Sequence, residues 1–239
     1  LVITQDEKNN LKCLSNVCTH RGNILVNEPC TLNRMRCKYH GRVFSLDGKF
    51  ISMPEFKEVE NFPTDADNLH QLPFFRWEKL LFTSIHPKFK AKDFFDDMME
   101  RIHWLPLNDL KFRPELSIDY HVKANWALYC ENYLEGFHIP FVHAGLNAEL
   151  DFGSYSTEIS FYSSLQLGIA KKDEACFDIP ESAVDFGKKV AAYYFWVFPN
   201  LMFNFYPWGL SLNVVNPTGI SESKVSFLTF VFDESKLGQ

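Results

Sequence analysis

"CTHRGNILVNEPCTLNRMRCKYHG" (residues 18–41) brings a thiol and an imidazole together twice, as Cys18-Thr-His20 and Cys37-Lys-Tyr-His40, with sixteen residues between the couples. Glycines follow each histidine closely, at Gly22 and Gly41, where a tight turn is easiest to make. Thiolate and neutral imidazole are soft-to-borderline donors, so the set suits either zinc or an iron–sulfur cluster. A zinc finger groups its Cys pair ahead of its His pair. Here each couple holds one of each, which favours a [2Fe–2S] cluster with two Cys on one iron and two His on the other. Zinc is the competing reading and coincidence the plain one. Replacing two thiolates by neutral rings removes negative charge, which raises the potential to about −150 to +300 mV, against about −400 mV for all-Cys plant-type clusters. The remaining thiols, Cys13, Cys30, Cys130 and Cys176, lack matching partners and are expected to be buried or idle.

The rest of the chain bounds what such a centre serves. At 239 residues it is long enough for two modest domains with real cores. Its formal net charge of −6 argues against a nucleic-acid partner, which would need a basic face. Apolar residues make up 46 %, yet no run approaches the roughly 20 residues of a membrane span. Scattered cysteines without a leader in view favour reduced thiols in a cytoplasm. The chain opens inside an apparent strand at Leu1 and closes just after one, so both ends are expected to be incomplete.

Residues 1–88 alternate short β-type runs with turn signals, including "RVFSL" before Asp47-Gly48, a hairpin cue. "AKDFFDDMMERIHWL" places Phe94, Phe95, Met98, Met99 and Ile102 on one face at helical spacing. A strand, "LSIDYHVKA", leads to an expected helix over "NWALYCENYLEGFHIPFVH" (residues 125–143). From about residue 155 onward aromatic and β-branched runs punctuated by Pro and Gly predict an antiparallel sheet. The expected fold is α+β: a small all-β domain at 1–88, then a domain at 89–239 with an antiparallel sheet and covering helices, helix-grip-like.

A cluster that moves single electrons needs an acceptor, and "ENYLEGFHIPFVH" supplies one. His138 and His143 are five apart, about 140° around a regular helix, but Pro140 lies between them and disrupts the turn, so both rings could converge on one ion. Two His and a carboxylate, with open positions, form the facial triad of non-haem Fe(II) oxygenases. Glu135, three residues before His138, is placed on the same helical face to accept a hydrogen bond from a ligating ring. Alone, His-x₄-His reads more simply as a pair of solvated histidines.

Cys-x-His, sixteen residues, then Cys-x₂-His-Gly resembles the signature of Rieske domains. Glu-Asn-Tyr-x-Glu-x-x-His-x-Pro-x-x-His is similar to the catalytic helix of Rieske non-haem iron oxygenase α subunits, nearest to the choline/carnitine monooxygenase-like members of the ring-hydroxylating group. Lys38 stands where many members have Pro, and Arg42 where many have Trp; neither is a ligand. The resemblance implies that Cys18, His20, Cys37 and His40 hold a [2Fe–2S] cluster and that His138 and His143 hold a mononuclear Fe(II). It implies that Glu135 bridges the iron site to a Rieske His, matching His40, on the next subunit of a head-to-tail homotrimer. The third ligand would be a carboxylate on a helix beyond the sheet, outside the given residues; Asp233, the last Asp, matches no motif.

The implied function is a terminal oxygenase, a mono- or dioxygenase that hydroxylates or oxidatively demethylates a small organic substrate with O₂. Electrons would come from NAD(P)H through a separate ferredoxin and/or flavin reductase, since no nucleotide-binding fingerprint is present. Arg21, Arg34, Arg36, Lys38 and Arg42 crowd the cluster loops and are read as solvated charge or as a docking face for an acidic donor. The competing reading is an electron carrier fused to a non-catalytic ligand-binding domain.

Overall fold

The computed structural model describes residues 1–237, and the chain divides into two units, Leu1–Phe89 and a second from Lys90 onward. In the first, β1 (Val2–Gln5) and β2 (Leu11–Leu14) pair antiparallel, with Ile3 opposite Cys13. β3 (Met35–Arg36), β4 (Val43–Phe44) and β5 (Phe50–Ser52) form a second small sheet. The Asp47-Gly48 cue is realised between β4 and β5, where the Ser45 amide donates to Lys49 O at 2.9 Å. β6 (Gln71–Leu72) completes the first sheet beside β2. β7 (Phe74–Trp77) and β8 (Leu80–Thr83) make an antiparallel hairpin. Leu14, Leu25, Met35, Phe44 and Leu69 form one buried cluster that also contains Cys18 and Cys37. The two thiols are therefore mounted on the hydrophobic core rather than on a free surface loop.

In the second unit, α1 (Ala91–Ile102) buries Phe95, Met98 and Ile102, while Phe94 and Met99 on its flanks are half-buried. β9 (Lys111–Phe112) and β10 (Ile118–Val122) follow, then α2 (Trp126–Leu134), a short α3 (Ile139–Val142) and α4 (Ala144–Glu149). β11 (Ser156–Ile159), β12 (Ser163–Ile169), β13 (Val190–Val197), β14 (Leu201–Tyr206), β15 (Gly209–Gly219) and β16 (Glu222–Val231) follow. These strands form an eight-stranded antiparallel sheet in the order β10-β16-β15-β14-β13-β12-β11, with β9 paired to the end of β16.

Strand period divides the aromatic runs between two covered faces. Tyr193, Phe195, Phe203 and Phe205 share one face, where the Phe95 ring of α1 meets Phe203 edge-on at 6.1 Å. Trp196 and Met202 point the other way, packed with Cys130, Trp126, Tyr129 and Tyr133 of α2. Coverage of both faces explains why β13 and β14 are buried almost throughout rather than at alternate residues. Among the described residues no helix is long and apolar enough to cross a membrane.

Candidate metal centres

The two Cys/His couples fold as copies of one turn. The Cys18 amide donates to Asn23 O at 2.8 Å, and the Cys37 amide donates to Arg42 O at 2.8 Å. Gly22 N returns to Cys18 O at 3.0 Å, and Gly41 N returns to Cys37 O at 3.0 Å. Both glycines adopt φ +72°, the left-handed region that glycine enters without a Cβ penalty. Even the donors to sulfur match: the amides of His20 and Arg21 point at Cys18, and those of Tyr39 and His40 at Cys37.

This repeated geometry converges on one point. Cys18 and Cys37 are buried and linked through their side chains, and the His20 and His40 rings lie 4.6 Å apart at 72°. Burial pushes the Cys18 thiol up; it acts on Cys37 as well, but the Tyr39 and His40 amides hold that thiol below its ordinary value. Burial also lowers the proton affinity of His20, helped by the charges of His40 and Arg42. His20 Nδ1 is buried with no hydrogen-bond partner among the described residues. A dry nitrogen lone pair, a facing imidazole and two amide-solvated sulfurs are the donor set that a mixed Cys/His cluster needs, so these residues fit it.

The second pair is built differently from the expectation. The helix predicted over 125–143 ends at Leu134, with Asn125 capping its start by accepting from the Ala127 amide at 2.9 Å. Glu135 is extended, at φ −110° and ψ 139°, and so is not on the helical face shared with His138. The break lies at Glu135-Gly136 rather than at Pro140. A Cβ on Gly136 would stand 3.1 Å from Tyr155 Cε1, so the Tyr155 ring occupies the space that a side chain there would take. Pro140 instead sits in the first turn of α3, where a missing N–H and fixed φ are tolerated.

His138 and His143 stand at the two ends of α3, with ring centroids 5.0 Å apart at 68°. The His138 Nδ1–H donates to Glu135 Oε1, and Glu135 Oε2 accepts from the Phe137 amide at 2.7 Å. Those bonds outweigh burial and hold the Glu135 carboxyl below its usual range. With Nδ1 committed, Nε2 is the nitrogen left to bind a metal, so this pair also fits an iron position. Asp233 is spent elsewhere, accepting from the Ser235 amide at 3.0 Å and pairing with Lys236. Among the described residues no three His, Cys, Asp or Glu side chains gather around one ion. Two ligands per iron is the cluster's own pattern.

A polar network under α2 was not anticipated. The Tyr133 hydroxyl donates to Asn204 Oδ1 at 2.8 Å. Gln166 Nε2 donates to Tyr133 O at 2.7 Å, while Gln166 Oε1 accepts from the Tyr155 hydroxyl at 3.0 Å. Burial pushes both phenols up, so they remain donors. Gln166 thus ties the last turn of α2 to the ring that wedges Gly136, just ahead of His138. Polar residues inside the apolar runs "SSLQLGI" and "LMFNFYP" were the available signal.

Arg21, Arg34, Arg36 and Lys38 are exposed around the cluster loops, but Arg42 is not part of that basic face: it is 3 % exposed and ion-paired to Asp67. Cys13 and Cys130 are buried, Cys30 is exposed and Cys176 intermediate, all of them free thiols.

Residues 1–63 match the Rieske [2Fe–2S] domain model, and residues 109–236 match the ring hydroxylating alpha subunit (catalytic domain) model. These two matches imply a Rieske cluster and a mononuclear iron. A chloroplastic choline monooxygenase of Arabidopsis thaliana is 29 % identical, across 96 % of this chain and 56 % of its own length. A carnitine monooxygenase oxygenase subunit of Escherichia coli K12 is 27 % identical, across 87 % and 54 %. The chain spans about half the length of these curated relatives. A solved quaternary ammonium Rieske monooxygenase superposes with TM-score 0.77 at 21 % identity, covering 97 % of this chain and 62 % of that one. Naphthalene 1,2-dioxygenase from Rhodococcus gives 0.70 at 19 %, covering 96 % and 61 %; at such identities the likeness is one of fold.

Proposed function

The chain belongs to the ring hydroxylating alpha subunit family, with a Rieske [2Fe–2S] domain ahead of its catalytic domain, and from that premise we propose that it is the terminal oxygenase component of a Rieske system. The observation that carries this is the pairing of two donor sets in one chain, the doubled Cys/His turn at 18–41 and the Glu135-His138-His143 constellation. In this reading Leu1–Phe89 is the electron-entry domain and the second unit the catalytic one.

When bound, the cluster relays single electrons and the mononuclear iron supplies O₂ activation. Cys18 and Cys37 would take one cluster iron and His20 and His40 the other, their sulfurs solvated by main-chain amides. His138 and His143 would present two nitrogens to the mononuclear iron, and Glu135 fixes the ring of His138 by holding its Nδ1 proton. The third ligand is then a carboxylate outside residues 1–239. Phe137, Phe141 and Val142, which are 80, 89 and 68 % exposed beside that pair, support a covering surface such as the neighbouring subunit of a head-to-tail trimer.

The substrate is a small organic molecule, attacked at a carbon or at an N-methyl group. Quaternary ammonium compounds come first as candidates, because of the choline and carnitine monooxygenase relatives. Electrons come from NAD(P)H through a ferredoxin or flavin reductase meeting the exposed cations of the cluster loops. The free thiols support a reducing compartment, in our reading the cytoplasm.

Iron and acid-labile sulfide counts test the reading. In a full-length chain that carries the third ligand, about three irons and two sulfides are expected, two irons with the cluster and one without. About two irons with full sulfide would indicate an electron carrier instead, and zinc without sulfide would refute both. Product formed from choline or carnitine, dependent on reductase, NAD(P)H and O₂, would establish the activity.

A further inference from the structure

Arg42 is a buried cation in the wall of the cluster site. Its side chain leaves the second Cys/His turn, whose first amide, that of Cys37, bonds to Arg42 O at 2.8 Å. The guanidinium crosses to the first turn, where Nη1 donates to Thr19 Oγ1 at 2.8 Å and to Asp67 Oδ1 at 3.1 Å. Thr19 lies between Cys18 and His20, and its hydroxyl donates to Asp67 O at 2.8 Å. Asp67 is itself held, accepting on Oδ2 from the Thr64 amide at 2.8 Å. Phe50 and Phe62 flank the guanidinium, their ring centroids 5.2 and 5.4 Å from Arg42 Cζ. Arg42 Nε is buried with no hydrogen-bond partner among the described residues.

A surface arginine would be screened by water and salt and would shift nothing nearby. This one is desolvated by aromatic rings, so its field is weakly screened, and it is fixed to the residue between two ligands. Taking up one electron adds one negative charge within the four-ligand site, with no bond made or broken. A fixed cation favours that step and a fixed anion opposes it.

We propose that the Arg42–Asp67 ion pair sets the reduction potential of the cluster, Arg42 raising it and Asp67 lowering it, beyond its evident part in holding the two turns together. Arg42 is a positioning residue here, acting through Thr19 and through space. The proposal rests on the cluster reading above.

The test separates charge from mere bracing, because both partners support the same link but carry opposite charge. Arg42→Gln and Asp67→Asn are compared with wild type by dithionite titration of the intact protein, following the cluster's paramagnetic and visible signals. The expected shifts have opposite sign, downward for Arg42→Gln and upward for Asp67→Asn, with Arg42→Lys returning toward wild type. Shifts of the same sign, or none, in cluster-loaded variants would overturn the proposal. If Arg42→Gln does not take up a cluster, Asp67→Asn decides alone, since its amide oxygen still accepts from Arg42 while the negative charge is gone. An unmoved or lowered potential there would refute it. A wild-type chain that takes up no cluster would instead sink the reading on which the proposal depends.

Discussion

Glu135 and His138 are joined through carboxylate Oε1 and ring Nδ1, although Glu135 lies outside α2 and three residues ahead of the ring. Because the Phe137 amide holds the other carboxylate oxygen, the acceptor cannot swing away from the imidazole at little cost. Glu135→Ala should therefore weaken Fe(II) binding by about 10–100-fold, the usual effect of losing a partner behind a ligating His. Glu135→Gln, which keeps an accepting oxygen without its charge, should lose less. Fe(II) titration of the apo site measures both, with the cluster absorption as an internal control. Equal affinity in Glu135→Ala would remove the carboxylate from the iron site.

His138 and the cluster donors belong to separate units of the chain. His138→Ala should abolish substrate turnover and remove about one iron per chain, leaving the sulfide count and cluster spectrum unchanged. A bleached cluster in that variant would contradict the division into two centres.

Much of the first centre was legible because its geometry is local. Each turn closes within six residues, and the Cys, His and Gly that shape it are adjacent in sequence. The sheet was legible too, since its runs of Phe, Tyr and Val alternate with turn residues. What escaped was set by distant partners. Gly136 stands in plain sight, but the Tyr155 ring packed against it comes from nineteen residues later, and Pro140 drew the break toward itself. Arg42 looked like one of five loop cations; only the approach of Asp67, Phe50 and Phe62 turns it inward. The third carboxylate ligand expected from the resemblance was placed outside these residues, and none of the described carboxylates takes that position.

Arg21, Arg34, Arg36 and Lys38 remain an exposed basic patch around the cluster turns of a chain whose net charge is −6. An acidic electron donor would be steered to it, and exposed charges separated by more than about 10 Å are screened at 0.1 M salt. The rate of cluster reduction by the physiological donor should fall as salt rises, and Arg34→Glu with Arg36→Glu should slow it further at low salt. Stopped-flow reduction checks this. A rate indifferent to ionic strength would place donor docking elsewhere.

Asp185 offers a test of what holds the second unit together. Its carboxylate is 1 % exposed and accepts from Arg101 Nη2 at 2.9 Å and Lys188 Nζ at 2.8 Å, while Arg101 also reaches Glu158 at 2.9 Å. Burial alone would raise the Asp185 pKa, yet these cations hold it below the ordinary value of 3.8. A carboxyl depressed on folding adds stability above its unfolded pKa, and that stability is lost as pH falls through the folded one. The contribution should thus be constant from neutral pH down to the ordinary carboxylate range, then fade on further acidification. Asp185→Ala leaves Arg101 buried against one partner fewer and should cost about 3–5 kcal/mol near pH 7. Denaturant unfolding of wild type and variant across pH measures the gap, which should narrow below about pH 4, where the unfolded carboxyl begins to bind its proton. A gap that stays constant into acid would mean that Asp185 stabilises the fold by packing rather than by charge.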